Sequence, residues 1–426
     1  MGGKSTSKAI EARYQTSFGR IAGYLPRNRR AAEQWHADFV AKAKARTDDH
    51  VPSVAALEKL LNDNKTVHDL VAEMIKQAAG KGRVKDIPEL LKCLDRITTT
   101  APEYRLDPAE RVFFPMSTLF VHMMNTDAGV DAFRNQEFNA ALLNILTEWC
   151  AYLDSPESRH VLTEDETGWL CQAAYEQNKL YEFVIPDPDA LYGGFTSYND
   201  FFHRRIKPEF RPNGARQDEL AVISPNDGSV VRWLEGVKKD DDIMMKGQPY
   251  SLQKMLNGSE YVERFVGGTV FQSFLSGANY HRWHAPVDGV IKHIERVPGL
   301  MFSELQMDKE DDTAGTLSQG YQASVNTRGL VFIESTAPRI GMVCVVPVGI
   351  TEISSVRFTP TLKAGDKVTR GDELGYFSYG GSSMCLVFEK GAIDHFTVPN
   401  NTIDHADDGA PIFVNGRIAR AKAPTG

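Results

Sequence analysis

Two glycines and two serines, Gly380-Gly381-Ser382-Ser383, lie directly before the apolar run Met384–Phe388. Glycine within a strand marks a bulge or a place where another group approaches the backbone closely. A serine after such a glycine can turn its hydroxyl onto the preceding carbonyl carbon and form an ester. β-Elimination then breaks the chain and leaves a dehydroalanine that hydrolyses to a pyruvoyl group, whose ketone condenses with amines. The pattern therefore indicates a chain that could make its own cofactor at Ser382.

The same four residues also occur in ordinary loops and linkers, and the pattern alone does not separate the two interpretations. A hydrolase nucleophile is excluded, because a nucleophile elbow requires Gly-x-Ser-x-Gly. Met384 stands two residues after Ser382, and Cys385 stands two residues after Ser383. Self-processing and a plain loop both remain open at this point.

A second group with chemical potential is the run Tyr-His-Arg-Trp-His-Ala-Pro at residues 280–286. His281 and His284 could bind a metal, but the sequence offers no third ligand at a matching spacing, so we predict no metal site. They could also be structural histidines, or they could move protons, since histidine titrates near neutral pH. Asp227, in Pro225-Asn-Asp-Gly, is either a turn residue or the carboxylate that orients a histidine.

Composition limits the class of protein. The chain has 426 residues, enough for two or three domains, and a net charge of −8 from 48 basic and 56 acidic residues. This balance argues against nucleic-acid binding and against a polybasic membrane surface. No run approaches the ~18 apolar residues that span a bilayer, and the first residues lack the apolar core of a secretory signal. Five cysteines without a C-x-x-C pair indicate reduced thiols, so we expect a cytoplasmic protein without membrane contact.

The hydrophobic pattern changes near residue 182. Apolar residues recur at three- and four-residue steps between about residues 31 and 181, whereas short β-branched runs follow a Pro/Asp/Gly-rich boundary. We therefore predict an α+β protein with a flexible segment 1–30, a helical accessory domain 31–181 and a catalytic domain 182–426. The catalytic domain should be mostly antiparallel β, with hairpins like those of barrel-sandwich carriers. Its predicted strands are Ala221–Ser224, Ser229–Trp233, Thr269–Leu275, Val290–Val297, Gly329–Glu334, Gly341–Ile350 and Met384–Phe388.

Five motifs within residues 190–415 together resemble those of the phosphatidylserine decarboxylases. They are Gly-Gly-Ser-Ser at 380–383, the run at 280–286, Pro-Asn-Asp-Gly at 225–228, Lys246-Gly-x-x-Tyr250-Ser251-Leu252, and Tyr198-x-x-Phe201-Phe202-x-Arg204-Arg205 with Arg211-Pro212. The helical first part is similar to the domain that accompanies a soluble branch of the family. That branch includes fungal L-tryptophan decarboxylases and shares the wording Gly-Ile-Thr-Glu-Ile-Ser found here at 349–354.

The resemblance implies roles for individual residues. The Gly381–Ser382 bond is cleaved, Ser382 becomes the pyruvoyl cofactor in place of PLP, and the two chains stay associated. His284 activates the serine and Asp227 orients that histidine, as a weak hydroxyl nucleophile requires. His281 acts in the decarboxylation itself, where it protonates the substrate carbon after CO2 leaves. The pyruvoyl carbonyl takes the electron-sink part that PLP plays in other enzymes.

One departure from the family bears on the substrate. Where the membrane enzymes usually read Leu-x-Pro-x-Asp-Tyr-His, this chain reads Leu-Ser-Gly-Ala-Asn-Tyr-His at 275–281, without the proline and the charge. In addition, Ser383 stands where threonine is common. We therefore expect the protein to decarboxylate a free aromatic L-amino acid through a Schiff base. Tryptophan is the first candidate substrate. The candidate substrate-binding residues are Trp283, Gly349, Thr351 and Glu352.

Four questions remain open from the sequence. Phosphatidylserine is the alternative substrate, reached if amphipathic helices dock on a bilayer. A non-enzymatic barrel-sandwich carrier is the alternative class, although Gly247 after Lys246 breaks the Met-Lys-Met pattern of biotin carriers. The run Asp308–Asp312 fits either a cation site or a solvated loop. The sequence does not decide whether the protein is a monomer or a homo-oligomer.

Overall fold

The computed structural model describes residues 29–107, 112, 114–239, 250–277, 279–305, 318–350, 352, 355–380, 382–401 and 409–423. Predictions that fall on residues 1–28, Lys246, Asp308–Asp312, Thr351 and Gly381 lie outside this part of the chain. Two compact units are formed. The helical unit comprises the described parts of Met1–Tyr181, Ile185–Phe201 and Leu300–Leu317, and the β unit comprises those of Glu182–Val184, Phe202–Gly299 and Ser318–Gly426.

The helices form where apolar residues recur at helical spacing. In the described residues they are α1 (Arg29–Lys44), α2 (Pro52–Asp63), α3 (Lys65–Gln77), α4 (Ile87–Thr98), α5 (Pro115–Met124), α6 (Asp127–Arg134), α7 (Gln136–Leu153), α8 (Gln172–Gln177), α9 (Tyr198–Phe202), α10 (Leu252–Met255), α11 (Val262–Phe265) and α12 (Gln319–Val325). Side chains cap several starts, as where Asp86 accepts a hydrogen bond from the backbone N–H of Glu89 before α4. None of the helices in these ranges is long and apolar enough to cross a membrane.

Fourteen short strands build the β unit in the described residues. They are β1 (Ala221–Ile223), β2 (Gly228–Glu235), β3 (Thr269–Leu275), β4 (Arg282–His284), β5 (Gly289–Val297), β6 (Arg328–Ser335), β7 (Met342–Gly349), β8 (Val356–Phe358), β9 (Lys367–Val368), β10 (Glu373–Phe377), β11 (Ser382–Phe388), β12 (Ile393–Phe396), β13 (Pro411–Ile412) and β14 (Arg417–Ala421). The largest sheet has the order β13-β2-β3-β11-β7-β6-β5-β9, and the smaller sheets have the orders β4-β10-β8 and β1-β14-β12. All of the pairings are antiparallel.

Strand β11 lies in the middle of the large sheet and is buried along its whole length. Because successive strand residues point to opposite faces, Met384 and Leu386 join one apolar core, whereas Cys385 and Val387 join a second core together with residues of α10–α12. Burial on both faces fixes the register of β11 strongly. The predicted α+β class, with helices first and a mostly antiparallel β region after them, is confirmed.

Candidate active site

Ser382 is the first residue of β11 and is fully buried. It pairs with Leu275 on β3 and with Gly349 on β7, so the backbone on both sides holds it in place. Its hydroxyl nevertheless has no hydrogen-bond partner in the described part of the chain. Buried hydroxyls are normally paired. An unpaired one can rotate onto a neighbouring group, as a nucleophile must.

The segment before Ser382 has a conformation that requires glycine. Gly380 has a φ of 140°, in a region that residues with a Cβ rarely adopt. Gly381, at the predicted cleavage position, lies outside the described residues, so the local geometry is that of Gly380 and Ser382. Gly380 thus has a backbone conformation that favours glycine two residues before a regular, buried strand.

Two chain segments connect the part of the sheet around Ser382 with the part around His281. One leaves β3 at Leu275 and reaches His281, and the other leaves β10 at Phe377 and reaches Ser382. They are joined at one end by the β3–β11 pairing, and at the other by the backbone N–H of Phe377, which donates to the carbonyl of His281 at 3.0 Å. The pairing pattern thus brings His281 and Ser382, 101 positions apart by their numbers, into the same part of the β unit.

His281 is fully buried in an aromatic cluster. Its ring stacks on Phe202 with 3.8 Å between ring centroids, and Phe202 also contacts Tyr379, which lies in the segment that leads to Ser382. Neither ring nitrogen makes a well-formed hydrogen bond to a described residue. Burial, followed by the positive charge of Arg204, lowers the pKa of His281 well below its usual value. The imidazole is therefore neutral at pH 7.

His284 has two defined hydrogen bonds. Its Nδ1 lies 2.8 Å from the carbonyl oxygen of Gly371, and its Nε2 lies 3.1 Å from the hydroxyl of Tyr280. Because a carbonyl only accepts, Nδ1 carries the proton, and Nε2 then accepts from Tyr280. Burial lowers the pKa of His284, while the Gly371 carbonyl and the charges of Glu373 and Asp227 oppose this shift. A neutral imidazole with a lone pair on Nε2 is the form that a general base needs.

The hydrogen-bond partners of Asp227 do not include His284, the histidine that it was predicted to orient. Its carboxylate accepts from Arg211 Nε at 3.0 Å and from the backbone N–H of Val414 at 2.8 Å, and Arg211 also pairs with Glu182 at 2.9 Å. Between the described residues Asp227 and His284 there is no hydrogen bond. Asp227 acts on His284 through its charge, and the Gly371 carbonyl is the group that orients the ring.

The two histidines have different surroundings because side chains three residues apart in an extended chain point to opposite faces. His281 lies in the aromatic cluster, whereas His284 and Tyr280 line a cavity of about 680 Å³. The other charged residues that line this cavity are Arg205, Arg211, Arg216, Arg370, Asp288, Asp372 and Glu373. Among the described residues, no group of three or more histidine, cysteine or acidic side chains could hold a metal ion.

Comparison with known proteins adds to this geometry. Family models described as phosphatidylserine decarboxylase match residues 198–409 and residues 51–178. Decarboxylase iboD of Amanita muscaria (strain Koide BX008) is 39% identical over 321 residues, which cover 69% of this chain and 91% of that protein. The chain belongs to the phosphatidylserine decarboxylase family. It is therefore a decarboxylase.

Two further relatives show the range of the family. The L-tryptophan decarboxylase of Psilocybe cubensis is 31% identical over 398 residues, 87% of this chain and 86% of that protein. Phosphatidylserine decarboxylase proenzyme 3 of Schizosaccharomyces pombe (strain 972 / ATCC 24843) is 32% identical over 213 residues, 50% of this chain and 21% of that protein. The similarity to the first extends through both units, whereas the similarity to the second covers half of the chain.

The predicted substrate-binding residues of this decarboxylase lie in different surroundings, one in an apolar core and one opposite Ser382. Trp283 is fully buried in a core, and a Cβ on Gly375 would lie 2.4 Å from its ring, so Trp283 fills space there. Gly349 lies directly opposite Ser382 on β7, and Glu352 is buried three residues further on. The substrate contacts of these residues stay predictions.

Sequence reasoning missed three residues of this site. Gly371 orients His284, Arg211 neutralises Asp227, and Phe202 stacks on His281. Arg211 and Phe202 belong to a family motif that was noted without a role, so that motif was the signal available for them. Gly371 contributes only a backbone carbonyl, which no residue type reveals.

Proposed function

We propose that this decarboxylase cleaves its own chain before Ser382, converts Ser382 to a pyruvoyl group and removes the α-carboxylate of a free aromatic L-amino acid, with tryptophan first. The observation that carries the proposal is the buried, unpaired hydroxyl of Ser382, two residues after Gly380, whose φ of 140° favours glycine. The neutral state of His281 and His284 adds support, because neutral imidazoles can accept a proton.

The residues fit the formation of a pyruvoyl group. The proton of the Ser382 hydroxyl passes to His284, and the oxygen attacks the carbonyl carbon of Gly381 to form an ester in place of the peptide bond. Elimination releases the Gly381 carboxylate and leaves a dehydroalanine. Water then displaces ammonia, and the pyruvoyl group remains at the start of the second chain. The Gly371 carbonyl supports this step by fixing the proton on Nδ1 of His284, which makes Nε2, the nitrogen that accepts from Tyr280, the basic one.

The pyruvoyl ketone supplies an electron sink for a substrate amine, as PLP does in other decarboxylases. His281 then delivers a proton to the substrate carbon. Because this imidazole is neutral, it first takes up the proton that the substrate ammonium group loses, and then passes a proton to the carbon. The stacked ring of Phe202 holds the imidazole in one orientation and keeps water away from it. The association of the two cleaved chains and a cytoplasmic location stay predictions.

The relatives support an amino acid as substrate. Similarity to the L-tryptophan decarboxylase of Psilocybe cubensis covers 87% of this chain. In the segment where the sequence departs from the membrane enzymes, the Asn279 side chain accepts from the backbone N–H and the hydroxyl of Ser276 at 2.7 and 2.8 Å. An uncharged amide thus closes the turn before His281. Phosphatidylserine is the second candidate, because the family models and the Schizosaccharomyces pombe relative carry that name.

Intact mass under denaturing conditions tests the first half of the proposal. We expect two chains, one ending at Gly381 and one beginning with a pyruvoyl group at position 382, and a single full-length chain from Ser382→Ala. CO2 release from tryptophan, phenylalanine, tyrosine and phosphatidylserine vesicles tests the second half. Conversion of phosphatidylserine alone would overturn the choice of substrate, and a wild-type chain that stays intact would overturn the cofactor.

A further inference from the structure

The residue after the nucleophile is anchored on both of its hydrogen-bonding sides. Ser383 is fully buried; its hydroxyl donates to the backbone carbonyl of Ser273 at 2.8 Å and accepts from Gln272 Nε2 at 2.8 Å. Ser382, by contrast, has an unpaired hydroxyl. Ser383 is therefore the first side chain of β11 that fixes the start of the strand.

Gln272 is itself held by a buried tyrosine. Its Oε1 accepts from the hydroxyl of Tyr250 at 2.6 Å, and its Nε2 also donates to the backbone carbonyl of Gln319 at 3.1 Å. Both protons and the oxygen of the amide are thus used. Burial raises the pKa of Tyr250, so the phenol keeps the proton that it donates. Tyr250, Gln272 and Ser383 form a buried network in which every polar group has a partner.

This network gives a role to a family motif that the proposed reaction leaves unused. Tyr250 and Ser251 belong to the Lys-Gly-x-x-Tyr-Ser-Leu motif at 246–252. The Ser251 hydroxyl accepts from the backbone N–H of Lys254 and caps α10, which fixes the chain directly after Tyr250. The motif thus holds a phenol in position to reach Gln272.

We infer that Tyr250 and Gln272 are positioning residues for position 382 and act through Ser383. This inference rests on the proposed self-cleavage. Before cleavage, the network holds the backbone from which the Ser382 hydroxyl attacks. After cleavage, position 382 is a chain end, and chain ends fray unless they are tied down. Ser383 is then the nearest side-chain anchor of the cofactor, and displacement of a reacting group by ~1 Å can cost about 100-fold in rate.

The test follows cleavage of freshly synthesised, pulse-labelled full-length chain over time. We expect Ser383→Ala, Gln272→Leu and Tyr250→Phe to slow cleavage, by about 10- to 100-fold for the first two, because they remove the anchor itself. Ser383→Thr keeps the hydroxyl and should cleave within a few-fold of wild type. The double variant Ser383→Ala/Gln272→Leu should be no slower than Ser383→Ala alone, because both changes break one connection.

Val387→Ala is the matched control for lost packing. Val387 lies on the same strand and the same face as Ser383 and is fully buried, but it has no polar contact to lose. It should lower the melting temperature as much as Ser383→Ala does and leave the cleavage rate close to wild type. Cleavage by Ser383→Ala at the wild-type rate, or equal slowing by Val387→Ala, would overturn the inference while self-cleavage stands. A wild-type chain that never cleaves would instead overturn the proposed function.

The mature enzyme gives a second readout. For the portion of Gln272→Leu that does cleave, we expect kcat per pyruvoyl group to fall while KM stays within about threefold, because a displaced cofactor weakens the transition state more than binding. An unchanged kcat would limit the network to folding and would count against the inference.

Discussion

The pair formed by Arg211 and Asp227 permits a quantitative test of how the site is held together. The side chains are 10% and 5% exposed, and Arg211 contacts the carboxylate through both Nε and Nη2. Replacement of Arg211 by methionine keeps a similar apolar stem but leaves the carboxylates of Asp227 and Glu182 without their shared cation. The remaining partner of Asp227 is the backbone N–H of Val414.

Removal of one partner of a buried ion pair costs about 3–5 kcal/mol, because the other charge stays buried. We expect a loss of unfolding free energy at the lower end of this range, about 3 kcal/mol, because the backbone N–H of Val414 still donates to Asp227. For a unit of this size, that corresponds to a fall in melting temperature of about 6–12 °C. Arg211→Lys keeps the charge but loses the two-nitrogen contact, so about half of that fall is expected.

The assay is thermal unfolding in a Ser382→Ala background, so that all variants have the same covalent structure. Adding Asp227→Asn to Arg211→Met removes one of the stranded charges and should recover part of the lost stability. Two results would refute the reasoning: a fall of less than about 2 °C for Arg211→Met, or no recovery on adding Asp227→Asn. Either would mean that solvent reaches the carboxylate and the pair contributes as little as a surface ion pair.

Two further predictions concern single titratable groups. Burial raises the pKa of Glu304, in the helical unit, to about 8 from 4.5, so the folded state keeps this proton as the pH rises and loses stability between about pH 5 and pH 8. Glu304→Gln should therefore melt higher than the parent at pH 8, with the difference narrowing at pH 5, and parallel melting curves would contradict this. His281→Gln should still cleave its chain but lose at least about 100-fold in CO2 release, because it removes the proton donor and leaves His284 intact. Loss of cleavage in this variant, measured by intact mass, would assign His281 to processing instead.

The strands show which parts of the fold the sequence predicts well. The predicted strand Thr269–Leu275 has the bounds of β3. The prediction for β5 differs by one residue at its start, and those for β6 and β7 differ by one residue at each end, because β-branched runs mark these strands. The prediction for β11 began at Met384, but the strand begins at Ser382. Small polar residues carry no strand signal of their own, and pairing with β3 and β7 decides their structure.

The candidate active site was harder to predict from the sequence than the strands. Sequence reasoning found the residue types, but the contacts that orient them join residues far apart in the chain. His284 bonds to Gly371, and Asp227 bonds to Val414. Such pairings depend on sheet register, which one sequence does not reveal. Trp283 shows the same limit, because the sequence places an aromatic side chain beside two histidines but does not reveal its burial against Gly375.

The His-x-x-His spacing has a different meaning in this fold than in a helix. On a helix, residues three apart share a face and can bind one metal ion or one substrate atom. Here His284 ends β4 and His281 directly precedes this strand, so the same spacing sends the two imidazoles to opposite sides. His281 lies in an aromatic cluster, where burial lowers its pKa, whereas His284 lines a polar cavity and is held by Tyr280 and Gly371. The two imidazoles therefore have separate surroundings, and the two roles proposed for them, in chain cleavage and in substrate protonation, do not require one shared position.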